Sequence, residues 1–223
     1  MNAWTSTELE YKLLSDGTAI LCGIGSCKDE NIVVPAKIGS HTVVAVSKKA
    51  FYRNDRIKSV TLPSSVKHVD DQAFVWCQKL DSIQLHGVVE IGERAFMGCD
   101  RLCNVELFKG LQLIGDKSFA YCPALTSVRL PDSVTRLGVS SFEGCRNLTK
   151  IALSQSLRYI ENGTFYACSS LCKVIIPRDL EYIDEYAFAY CGSITEMKLP
   201  SKTVVNGDAF FECGNRLTFG KVS

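Results

Sequence analysis

The chain has 223 residues, 46% of them apolar and 22% charged, a globular balance that excludes a disordered polyampholyte and a fibrous protein. Lysine and arginine number 25 against 24 aspartates and glutamates, so a formal charge of +1 leaves no global excess to draw the chain to nucleic acid or to an anionic membrane. No stretch approaches the roughly 20 apolar residues that span a bilayer, so membrane insertion is not expected.

The N-terminus, MNAWTSTELEYKLL, lacks a basic segment followed by an apolar run and carries Glu8 and Glu10 where a signal peptide is most apolar. As given, the chain is expected to stay in a reducing cytosol. The stretch CGIGSC, Cys22 to Cys27, contains Gly-x-Gly only and reads as a turn. Beyond it the chain repeats. Phe51, Phe74, Phe96, Phe119, Phe142, Phe165, Phe188 and Phe210 follow one another at 22 or 23 residues. Three residues after each stands a cysteine, Cys77, Cys99, Cys122, Cys145, Cys168, Cys191 and Cys213, with Asn54 in the first copy. Five residues before each stands an aliphatic, from Val46 and Val69 to Ile183 and Val205. After the cysteine come aliphatics two apart, such as Ile83 and Leu85 or Val128 and Leu130, the alternation of a short strand with one buried face. Prolines Pro63, Pro131, Pro177 and Pro200 end these strands, and Gly92, Gly115 and Gly138 predict tight or left-handed turns before the phenylalanine.

A unit of this length cannot bury its apolar face alone, so successive units must stack into a solenoid with one shared core. Parallel strands about 4.8 Å apart make eight turns a rod roughly 35 to 40 Å long. Equivalent residues then lie above one another, and Phe96, Phe119, Phe142, Phe165 and Phe188 with Cys99, Cys122, Cys145, Cys168 and Cys191 form an internal ladder. Zinc needs four ligands converging on one point, which a linear array cannot supply. Disulfides between rungs fit the Cα spacing, although in-register Cβ atoms stay further apart than the roughly 3.8 Å preferred. Buried reduced thiols, packing as small hydrophobes, are the favoured reading. Cys22, Cys27, Cys103 and Cys172 lie outside the ladder and are the expected exposed or reactive thiols.

Histidines stand only at positions 41, 68 and 86, none at a fixed offset from a serine or an acid, so no nucleophile pair is predicted. Phosphate-loop, dinucleotide-fingerprint, zincin and EF-hand motifs are missing from the sequence, and no catalysis, metal or cofactor is expected. What remains is surface. The outward strand positions read Thr61, Gln84, Glu106, Arg129, Ala152, Ile175, Lys198 and Ser59, Ser82, Asn104, Ser127, Lys150, Lys173, Glu196. Gln84, Glu106, Arg129, Lys150, Lys173, Ile175 and Lys198 are the candidate partner-binding residues, neutral to acidic in the first half and basic around Ala152 and Ile175 in the second. A second candidate surface follows each phenylalanine, where Trp76, Tyr121, Tyr166 and Tyr190 recur with Tyr52 and Phe211.

The pattern Leu-x-x-Ile-x-x-x-(Ala/Ser)-Phe-x-x-Cys-x-x-(Leu/Ile)-x-x-(Val/Ile/Met)-x-Leu-Pro, cleanest in LEYIDEYAFAYCGSITEMKLP at 180–200, resembles the BspA-like leucine-rich repeats over about residues 32 to 213. The resemblance implies a right-handed coil of short parallel strands with turn or 3-10 corners and little α-helix. It implies a cap of strands in residues 1–39 before an array of about eight repeats in 40–223. It also implies a non-catalytic scaffold that binds a host or cell-surface protein, adhesion, and a secreted or surface location. In the last copy Arg216, Leu217 and Lys221 depart from the pattern. An open C-terminal edge is therefore the expected route to homo-oligomers, the structural alternative to partner binding. A thiol-based redox sensor or enzyme is the remaining alternative.

Overall fold

The computed structural model describes residues 5–214 and 218–222, so Arg216 and Leu217 lie outside the described residues. At the N-terminus Glu10–Leu13 and Thr18–Gly23 form an antiparallel hairpin. Its turn is held by Asp16 Oδ1, which accepts from the Thr18 amide at 2.9 Å. Thr18–Gly23 pairs in parallel with His41–Val46, so the hairpin closes the N-terminal end of the core with Ala19 and Leu21.

From there the chain coils with parallel strands on two sides and about eight turns. The front ladder comprises Asn31–Val33, Ser59–Leu62, Ser82–Leu85 and Asn104–Glu106, then Ser127–Arg129, Lys150–Ala152 and Lys173–Ile175, then Glu196–Pro200 with Thr218–Val222. Each partner lies one repeat away, as in Ser59↔Ser82 and Lys150↔Lys173. The back ladder follows His41–Val46 with two-residue strands, His68–Val69, Glu90–Ile91, Leu113–Ile114 and Arg136–Leu137, and resumes with Tyr159–Ile160, Tyr182–Ile183 and Val204–Val205. Front-strand pairing is interrupted after Asn104–Glu106 and after Lys173–Ile175, and back-strand pairing after Arg136–Leu137.

The third side contains no strand, and its hydrogen bonding is the most continuous. In each coil the phenylalanine amide donates sideways to the next coil, from Phe51 to Ala73 O at 2.7 Å through to Phe188 to Ala209 O at 2.8 Å. The intervening amides close local turns, such as Ala73 to Asp70 O and Cys77 to Phe74 O, both at 3.2 Å. These turns need a left-handed residue at their third position. Residues two before the phenylalanine supply it in seven coils, from Lys49 (φ 61°) to Tyr186 (φ 54°), and residues two after it in all eight, from Arg53 (φ 55°) to Glu212 (φ 55°). A left-handed residue every fourth position interrupts any right-handed run, and accordingly the corners are turns with no helical segment among the described residues.

Of the tight or left-handed turns expected at Gly92, Gly115 and Gly138 the tight form is present: none has a positive φ, and their carbonyls accept the amides of Ala95, Ser118 and Ser141. They are close-approach sites: a Cβ on Gly115 would stand 2.7 Å from the Gly92 carbonyl carbon, and one on Gly138 would stand 2.5 Å from the Asp116 amide. The left-handed positions fall two residues later, on Arg94, Lys117 and Ser140.

Inside, the eight phenylalanine rings form one stack. Consecutive centroids are 5.0 to 5.8 Å apart and the planes lie within 20° of parallel. Phe51 to Phe188 are fully buried and Phe210 partly. The ladder cysteines are free thiols, all buried, and each donates its S–H to the phenylalanine carbonyl of the preceding coil at 2.6 to 3.1 Å. In six of these seven pairs, Phe119 excepted, that carbonyl also accepts the amide three residues on, so both its lone pairs are used. A small side chain that is apolar in bulk and still donates weakly fits this place, which is why cysteine recurs there. Burial raises the thiols of Cys77 and Cys145 to about 12 and holds those of Cys99, Cys122 and Cys168 well above the ordinary thiol value.

Candidate interaction site

The front ladder presents its outward side chains in register, but the seven candidate residues divide into three groups. Gln84 and Glu106 belong to a hydrogen-bonded chain in which Thr61 Oγ1 donates to Gln84 Oε1 and Gln84 Nε2 donates to Glu106 Oε1, each at 3.3 Å. Beside it Ser59 Oγ donates to Asn31 Oδ1, Lys58 meets Glu30 at 2.5 Å and Arg101 meets Asp81 at 3.0 Å. The polar groups of this half largely satisfy one another. Lys198 lies beyond the second interruption and is paired with Glu196 at 3.8 Å.

Arg129, Lys150, Lys173 and Ile175 are brought together on three consecutive strands. Lys150 stands directly opposite Lys173, and Arg129, Ala152 and Ile175 form the adjoining row. The three cations are exposed, and among the described residues none makes an ion pair. Ile175 is 39% exposed. Ala152, expected on the surface of this patch, is instead buried at 8%, because its short side chain lies between the longer Arg129 and Ile175. The result is a notch with cations along one side and isoleucine at one end.

On the turn side Trp76 lies over Gly98 and Tyr121 over Gly144, where an added Cβ would approach the rings to 2.5 and 2.6 Å. Tyr121 donates its hydroxyl to the Glu143 carboxylate, which raises the phenol to about 12. Tyr166 and Tyr190 meet edge to face at 5.2 Å, and Phe211 joins them edge-on at 5.6 Å from Tyr190. Tyr186, absent from the sequence-derived candidates, completes this group at 6.3 Å from Phe211. Its position two residues before the phenylalanine, which holds unrelated residue types in the other coils, carried no periodic signal.

Of the four cysteines outside the ladder, Cys103 and Cys172 are exposed and Cys22 half-buried. Cys27, expected among the accessible thiols, is buried at the N-terminal end of the core, where it packs in the same apolar cluster as Leu9 and Ile32. The histidines have other neighbours: His41 Nδ1 is 3.5 Å from Ser40 Oγ, His68 meets Glu90 at 3.5 Å, and His86 stacks on Phe108 at 3.9 Å. Among the described residues no group of three or more His, Cys, Asp or Glu side chains could hold a metal ion. No helix there is long and apolar enough to cross a membrane.

The sequence matches the BspA type leucine rich repeat region in 6 copies, over residues 26–146 and 89–217. Among solved structures it is similar to the leucine-rich repeat protein TpLRR of T. pallidum, at 31% identity and a TM-score of 0.79, over 84% of this chain and 88% of that one. It also shares the fold of a leucine-rich repeat protein from Bacteroides ovatus, at 24% identity and a TM-score of 0.71, over 98% of this chain and 67% of that one. A search of curated proteins finds no match. Repeats matched across residues 26–217, on a coil shared with TpLRR, make the chain a member of the BspA-type leucine-rich repeat family, whose proteins are generally non-catalytic interaction scaffolds.

Proposed function

We propose that the chain is a non-catalytic, adhesion-type scaffold that binds a protein partner through its front strands. The observation that carries this reading is the trio Arg129, Lys150 and Lys173, exposed on three consecutive strands with the two lysines in register, and without an acidic partner among the described residues. Cations held side by side repel one another at a cost to the free protein, and an acidic partner surface relieves it. Ile175 at the end of the notch adds an apolar anchor. The partner is then an acidic protein surface, that of a host or other cell-surface protein. The family's association with surface and secreted bacterial proteins supports a location outside the cell. Residues 1–39 serve as the cap and 40–223 as one continuous array.

The test compares wild type with a variant carrying Arg129→Glu, Lys150→Glu and Lys173→Glu in capture of labelled cell-surface proteins. Loss of the captured set from the variant is expected, and an identical set rejects the reading. A second reading, assembly through the C-terminal edge, is favoured by Val205, which is 37% exposed in a column whose earlier members are buried. Light scattering that finds a strict monomer across a wide concentration range removes it.

A further inference from the structure

The turn side of the last three coils carries an aromatic group that neither the core nor the front strands account for. Tyr166, Tyr186, Tyr190 and Phe211 meet edge to face, with Tyr190 and Phe211 each 43% exposed. Earlier rings on this side have a packing role, since Trp76 and Tyr121 cover a glycine of the next coil. Tyr190 has no such glycine to cover, because Glu212 occupies the equivalent place. The backbone does not call for these rings either. Tyr186 and Tyr190 hold φ of 54° and 59° where Gly163, Gly98 and Gly144 stand in equivalent positions of other coils. Glycine adopts that conformation without strain and tyrosine does not.

The charges on the segments that bear the rings have one sign. Glu161, Asp184, Glu185, Asp208 and Glu212 fall within positions 161–167, 184–190 and 206–212, which contain no lysine or arginine. Exposed ring faces rimmed by carboxylates attract cations twice over, through the ring quadrupole and through charge. The chain displays the first of these contacts at its other end, where Lys49 Nζ and the Arg53 guanidinium lie 5.6 and 5.4 Å from the Tyr52 ring centre. We propose that the rings of Tyr186, Tyr190 and Phe211, with Glu185, Asp208 and Glu212, form a second interaction surface that takes an arginine- or lysine-rich segment of a partner protein. This surface is separate from Arg129, Lys150 and Lys173 and stands or falls independently of them.

The full chain is titrated with a fluorescent decapeptide alternating arginine and serine, and with its glutamate counterpart. Binding of the arginine peptide, weakening as salt rises, is expected, and any binding of the glutamate peptide should be confined to the front cations and abolished by Lys150→Glu with Lys173→Glu. Tyr186→Gly with Tyr190→Gly removes two rings while suiting the left-handed backbone, so the thermal midpoint should hold while affinity falls roughly tenfold. Glu185→Gln with Asp208→Asn, on the surface, should weaken binding several-fold, and Lys150→Glu with Lys173→Glu should leave it intact. The proposal is overturned if the wild type does not bind the arginine peptide, or if the ring and charge variants bind it as the wild type does. A dimer that excludes the peptide assigns the rings to a second copy and overturns it equally.

Discussion

Removing one ring from the middle of the phenylalanine stack tests the continuity of the core. Phe142 is 1% exposed and lies 5.3 Å from Phe119 and 5.8 Å from Phe165. Phe142→Ala returns about 120 Å² of apolar surface to the balance, worth about 3 kcal/mol at ~25 cal/mol/Å². A residual cavity of about 50 Å³ adds about 1 kcal/mol at ~24 cal/mol per Å³. With a urea m-value of about 2 to 3 kcal/mol/M, a loss of about 4 kcal/mol lowers the midpoint by roughly 1.5 M. Phe210→Ala is the internal comparison: its ring is already partly exposed on the last coil, so about half that shift is expected. Urea unfolding followed by far-UV circular dichroism measures both. If Phe142→Ala moves the midpoint no further than Phe210→Ala does, coils on either side of Phe142 do not share a core.

Ser118 and Ser141 occupy the place before the phenylalanine where Ala73, Ala95 and Ala187 stand, and both hydroxyls are buried without a partner. Replacing both by alanine should stabilise the fold by about 2 kcal/mol and raise the thermal midpoint by about 4 to 8 °C. A lower midpoint would mean that the hydroxyls are bonded. Thr164 differs in donating to Glu161 O at 2.7 Å, so Thr164→Ala should not share the gain. In alkylation at neutral pH Cys103 and Cys172 should react first, with the ladder cysteines and Cys27 reacting only on unfolding. Because burial holds the thiols of Cys77 and Cys145 at about 12, raising the pH to about 9 should leave both unmodified in the folded protein. Mass spectrometry of labelled peptides reads this directly, and a ladder cysteine modified in the native protein contradicts it.

The interior of this molecule is one environment presented once per coil, so burial imposes the same residue types at the same offset and writes itself into the chain as a period. That is why phenylalanine and cysteine recur together, and why the repeat, the parallel strands and the shared core all follow from the order of residues alone. Its boundary with solvent repeats less faithfully. Whether Lys198 or Lys173 meets a carboxylate depends on the residue beside it and on interruptions in strand pairing that leave no mark in composition. The burial of Ala152, the close approach at Gly115, and the thiol-to-carbonyl bond of each ladder cysteine depend on atoms 22 to 26 residues away in sequence. Hydrophobic burial is non-directional and leaves a pattern along the chain, whereas hydrogen bonds, ion pairs and backbone contacts are short-ranged and directional, and only the packed coil decides which groups come within reach.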